Sequence, residues 1–155
     1  MKGELLILLD GVVLFGLRMG LDDEIRNLLG RGDELGKLEL DVIRVLTVFN
    51  GVSWMTEIIS DIVKIHGYAL DYVPTDELLD RALSELESKG IISMESRRRG
   101  KFLSRGVYED KLIRIKDLRA AKKALAGDEV YKDYLSRQIE MIRRAVKGSK
   151  DEMLG

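Results

Sequence analysis

Residues Thr75 to Ile115 read TDELLDRALSELESKGIISMESRRRGKFLSRGVYEDKLIRI. Leu79, Ala82, Leu83 and Leu86 recur at three- and four-residue steps, which predicts a helix with one apolar face. Thr75 or Asp76 is the candidate N-cap, Asp76 and Glu77 place negative charge at the positive end of the helix dipole, and Lys89-Gly90 supplies a C-terminal cation and a residue tolerant of positive φ. Beyond Gly90 the character changes. Ile91–Glu95 and Val107–Ile115 are short β-rich runs, and the residues between them, Ser96–Gly106, hold two glycines and the cations Arg97, Arg98, Arg99, Lys101 and Arg105. A helix, a glycine stop and a hairpin with a basic tip are expected.

Upstream, Leu38–Phe49 predicts an amphipathic helix on Leu38, Val42, Val45, Leu46 and Phe49, ended by Asn50-Gly51. Val52-Ser53-Trp54 reads as a short extended link. Ser53 or Thr56 can cap a following helix, Met55–Ile65, with Ile58, Ile59, Ile62 and Ile65 inward. His66-Gly67 closes that helix, with the imidazole at its C-terminus, and Pro74 disfavours helical geometry at Val73. The order is helix, short strand, helix, turn, helix, hairpin. It resembles the winged helix-turn-helix superfamily over residues 38–115, and Leu79–Ile92 resembles its recognition-helix-to-wing segment. The turn before the third helix is longer than in the compact form of the motif. The expected fold is mainly α with a small β-hairpin wing, carrying helical extensions at residues 1–37 and 116–155.

In the N-terminal extension, Leu5–Leu9 and Val12–Phe15 are apolar on nearly all sides and are read as helix, with a strand at Leu5–Leu9 as the competing reading. Gly30–Gly36 reads as a loop after a helix using Ile25, Leu28 and Leu29. Lys116–Ala126 is helical by composition, and Asp128 starts a helix reaching about Lys147, in which Leu135, Ile139, Ile142 and Val146 take heptad positions. Gly148–Gly155 is expected to fray. Leu5, Leu8, Leu9, Val12 and Phe15, together with Leu135, Ile139, Ile142 and Val146, are the candidate dimerisation residues.

The 155 residues have a net charge of only −1 that conceals a division. Residues 1–96 carry nine Lys or Arg against eighteen Asp or Glu, whereas residues 97–123 carry eleven against three. A basic stretch beginning at the hairpin tip points to phosphates. The third helix argues the other way, since Asp76, Glu77, Asp80, Glu85 and Glu87 outnumber Arg81 and Lys89, and acids are repelled by the backbone flanking a groove. By position, Arg81 and Ser84 are the residues expected to reach bases.

No cysteine is present and His66 is the sole histidine, which removes disulfides, thiolate metal sites and most histidine-based catalysis. No P-loop, dinucleotide glycine pattern or nucleophile triad occurs, so neither an enzyme, a metal nor a cofactor is expected. Asp10 interrupts the Leu5–Leu17 apolar run and Glu4 precedes it, against a signal peptide or span, and the expected location is cytoplasmic with no membrane partner. Few Asn and Gln beside abundant Glu, Lys and Arg is the usage of proteins from hot environments.

By resemblance, the expected function is double-stranded DNA binding by a homodimeric transcriptional regulator of the archaeal-type prokaryotic kind. Arg81, Ser84, Arg97, Arg98, Arg99, Lys101 and Arg105 form the DNA-binding set. The alternative is a winged-helix protein-interaction module within a larger complex, for which the acidic third helix and the apolar N-terminus speak.

Overall fold

The computed structural model describes residues 20–154, and residues 5–9 and 12–15 as backbone strands. Those two strands, β1 (Leu5–Leu9) and β2 (Val12–Phe15), pair antiparallel, with Leu5 opposite Phe15 and Leu9 opposite Val12. The helical reading of this segment is overturned, and the strand reading of Leu5–Leu9 holds. The signal passed over is Asp10-Gly11 between two apolar runs, a dipeptide favoured in two-residue hairpin connections. The side chains of Leu5, Leu8, Leu9, Val12 and Phe15, assigned to dimerisation, lie outside the described residues.

Six helices and three further strands follow. Helix α1 (Leu21–Arg31) leads almost directly into α2 (Glu34–Val48). The loop expected at Gly30–Gly36 shrinks to Gly32 and Asp33, with Gly32 at φ 71°, a conformation glycine adopts without Cβ strain. Gly36 is helical and buried. A Cβ there would stand 2.8 Å from Asp33 Oδ1 and 3.1 Å from Arg31 Cβ, so its missing side chain lets the helix entry close. The boundary drawn at residue 38 therefore falls inside a helix, and α1 contributes Ile25 and Leu28 to the same core as the rest.

Helix α2 is the centre of the molecule, touching α1 and every later helix, together with two of the three strands of the main sheet. It was read as amphipathic, but it is enclosed on nearly every side: Leu38, Val42, Ile43, Val45 and Leu46 are fully buried, and so are Glu39, Asp41, Arg44 and Thr47. Burying ionic groups is tolerated only when they are paired, and each of these charges has partners. Asp41 accepts hydrogen bonds of 2.7 Å from Arg44 Nη1 and from the Tyr72 hydroxyl, and its Oδ1 lies 2.7 Å from His66 Nε2. Arg44 also donates from Nε and Nη2 to the two carboxylate oxygens of Asp128, at 2.9 and 2.7 Å.

After α2 come β3 (Val52–Trp54) and α3 (Ile58–Ile65), whose Ile58, Ile62 and Ile65 are buried. Neither expected cap forms, because the Thr56 hydroxyl turns to Asp110 at 2.7 Å and the helix begins at Ile58 instead. His66 is its C-cap residue, as expected. Helix α4 (Asp76–Ser88) has the expected bounds: Thr75 accepts from the Leu78 amide at 3.1 Å, and Leu79, Ala82, Leu83 and Leu86 are buried. Strands β4 (Ile92–Gly100) and β5 (Val107–Ile115) form a regular antiparallel hairpin, and β3 joins its other side, giving the order β3-β5-β4.

The chain ends in α5 (Leu118–Ala124) and α6 (Glu129–Leu154). Asp128 accepts from the Tyr131 amide at 2.9 Å and so caps α6. The helix continues to Leu154, so the fraying expected from Gly148 is not seen. Leu135 packs against the core, while Ile139, Ile142 and Val146 stay at least half exposed. The heptad row thus leaves the body of the molecule uncovered beyond Leu135. Among the described residues no helix is long and apolar enough to cross a membrane.

Candidate nucleic-acid interface

Strand β4 runs to Gly100, so Arg97, Arg98 and Arg99 lie on a strand and not in a turn. Strand residues alternate faces, and the three arginines diverge. Cross-strand register places Arg97 opposite Asp110 and Arg99 opposite Tyr108 on one face, with Trp54 beside them through its pairing to Leu112. Arg98, opposite Glu109, takes the other face, along with Ser96 and Lys111 and, nearer the core, Ile92, Met94, Ile113 and Ile115.

Arg99 is committed within the fold. Its Nη1 donates to Asp110 Oδ2 at 2.8 Å, its Nη2 lies 2.8 Å from Glu57 Oε2, and its guanidinium sits 4.2 Å above the Trp54 ring with Tyr108 at 5.7 Å. Burial pushes the Asp110 carboxyl up, but hydrogen bonds from Thr56, Arg99 and the Lys111 amide outweigh it and hold the group below the usual carboxylate range. A buried carboxylate, a stacked guanidinium and an indole brace the hairpin between its middle and its tip. Arg97 is paired to Glu95 at 2.8 Å, but both side chains are about half exposed, and a pair of that kind contributes ~0–1 kcal/mol and yields to a better anion.

Arg98, Lys101 and Arg105 are exposed and make no ion pair with any described residue. They stand along and beyond the far half of the hairpin. The apex between them carries Phe102 and Leu103, 90% and 89% exposed. Lys101 is held at the neck by a 2.9 Å bond from its amide to the Gly106 carbonyl.

The α4 residues Arg81 and Ser84 are also exposed, and Arg81 has no ion pair among the described residues. Their surroundings are acidic. Asp76, Glu77, Asp80 and Glu87 share the exposed side of α4, and the groove of about 440 Å³ between α4 and the hairpin is lined by Asp76, Asp80, Glu109 and Asp110 against the single cation Lys111. The hairpin tip and α4 therefore present opposite charge. Lys89, the other α4 cation, turns inward, 2.6 Å from Glu24 and 3.3 Å from Glu39.

Within that inward cluster Glu39 titrates far from its ordinary range. Burial and the neighbouring Glu85 carboxyl push Glu39 up to about 7, against an ordinary value of 4.5. Folding therefore favours the protonated acid. The stability it confers is fully present below pH 4.5 and is lost as pH rises through about 7, a decline of about 3 kcal/mol. The melting temperature should fall by about 5–10 °C between pH 5 and 8. Glu39→Gln, which cannot ionise, should flatten that decline, and equal slopes in the two proteins would remove Glu39 as its source.

Among the described residues no group of three or more His, Asp or Glu side chains is arranged to hold a metal ion. Sequence reasoning missed the Trp54–Arg99–Asp110–Glu57 brace, for which the strand pairing had to be known, and the exposed Phe102-Leu103 apex. The latter was visible as two apolar residues between cations. No protein-family model matches the chain, and a search of curated proteins finds no match.

Proposed function

We propose that residues 38–115, with α2 beginning four residues earlier, are a winged helix domain and that the protein is a non-enzymatic, double-stranded DNA-binding homodimer acting as a transcriptional regulator in the cytoplasm. One observation carries the reading. Three cations without partners, Arg98, Lys101 and Arg105, are grouped at the end of a braced hairpin next to an exposed helix. In this reading they bind phosphates, with Arg97 released from Glu95 to join them, and Arg81 with Ser84 supply what base contact α4 makes. The uncovered row Ile139, Ile142 and Val146 on α6 supports pairing with a second copy, since an apolar seam on a projecting helix is stabilised by a partner helix.

The test is binding to a random duplex from about 50 to about 300 mM salt, with single strands as control. Tight duplex binding with a steep inverse salt dependence is expected. Absence of binding at the lowest salt would sink the reading for a general phosphate clamp. A second reading, a winged-helix protein-interaction module, draws on the acidic α4 groove, which would receive a basic partner segment.

A further inference from the structure

We propose that Phe102 and Leu103 form an apolar wedge that enters the minor groove of duplex DNA, unstacks a base step and kinks the helix. This deepens the DNA-binding reading above and rests on it.

The two side chains are exposed to 90% and 89%, so neither stabilises the fold by burial. Leu103 also adopts φ 61°, the left-handed region that a branched, bulky residue enters at a cost of about 1 kcal/mol or more. An apolar residue held in a costly conformation and left almost bare by the described residues finds its compensation outside them. Strain at the apex turns the chain between Lys101 and Arg105 so that the apolar pair occupies the outermost position.

The setting specifies the occupant. Arg98, Lys101 and Arg105 surround the apex without partners, which matches a polyanion whose interior is apolar. Stacked bases between phosphate rails have that arrangement, and proteins that bend DNA through the minor groove use Phe and Leu in this way. The arm is suited to the task. Ile92 and Ile115 at its root are buried, the register is unbroken from that pair to Gly100 opposite Val107, and the brace of Arg99 on Trp54 and Asp110 stiffens the middle. The nine residues of β4 span roughly 26 Å from Ile92 to the neck of the apex. A hairpin that enters the minor groove also removes the conflict with α4, whose acids then need not approach the major-groove phosphates closely.

The experiment uses the full chain, an end-labelled duplex for energy transfer, and a duplex carrying 2-aminopurine at successive steps. Wild type should shorten the end-to-end distance in keeping with a bend of about 20° or more and raise 2-aminopurine fluorescence at one step. The double variant Phe102→Ala, Leu103→Ala should lose both signals, with its salt slope and melting temperature unchanged, because the cations and the core are untouched. Binding without bend or unstacking, or signals that persist in the double variant, would overturn the wedge and leave DNA binding standing. Failure to bind duplex at all would remove both. Vesicles of phosphatidylcholine with phosphatidylserine provide the remaining arm: binding there that depends on Phe102 and Leu103, without a DNA bend, would assign the apex to an anionic membrane and overturn the proposal.

Discussion

Replacing Asp41 by Ala is expected to cost about 3–5 kcal/mol, a large share of what a domain of this size possesses. Asp41 is 1% exposed and serves three donors at 2.7 Å, from α2 itself, from the end of α3 and from the segment leading to α4. Its removal leaves the Tyr72 hydroxyl buried without an acceptor and deprives Arg44 of one of its two carboxylates. Burial opposes the charge on Arg44, and the bonds to Asp128 and Asp41 outweigh it, so losing one shifts the balance against a cation that cannot neutralise. Urea denaturation monitored by far-UV circular dichroism measures the loss. Asp41→Asn, which keeps an acceptor but no charge, should fall between wild type and Asp41→Ala. A cost below about 1 kcal/mol for the alanine variant would mean that the network is surface-like in energy.

Joint replacement of Arg98, Lys101 and Arg105 by Ala should flatten the plot of log binding constant against log salt by about 2–3 units, at about 0.9 per phosphate released, and weaken binding roughly 100-fold near 0.1 M salt. Arg99→Ala is the contrasting variant. It uncovers Asp110 on β5 and Glu57 at the start of α3, so its melting temperature should drop while the slope changes little. The sequence alone treats the arginine triplet as one patch, and the alternation of strand faces divides it. If the triple variant binds with the wild-type slope, the hairpin is not the phosphate contact.

Local signals were legible wherever one side chain or one period determines the outcome. Thr75 and Gly90 delimit α4, Asp128 caps α6, and the isoleucine spacing gives α3, because capping and apolar period act within a few residues. What escaped depends on partners distant in the chain. Glu39, Asp41 and Arg44 look like the polar face of a helix until α4, α6 and Tyr72 arrive to enclose them. Arg99 looks like a free cation until β3 brings Trp54 beneath it. The N-terminal hairpin was misread for another reason. Short leucine-rich runs satisfy both periods, so the period alone does not separate strand from helix there. Gly30 and Gly36 suggest a loop but both lie in helices, and at Gly36 close approach is what the missing side chain provides.

The link from Arg44 to Asp128 has a mechanical consequence. Asp128 is at once the anchor of α6 to the central helix and the cap that orients its first turn. From that fulcrum 26 residues extend, about 39 Å of helix, and past Leu135 the apolar row makes no core contact to restrain it. Tyr131, Tyr134 and Leu135 pack on the core and Arg137 Nη2 donates to the Ile65 carbonyl at 2.9 Å, so α6 is seated through its first nine residues. From Gln138 to Leu154 the helix projects as an arm of about 26 Å whose direction is set by that seated segment, so a change of about 5° there carries Leu154 through roughly 2 Å.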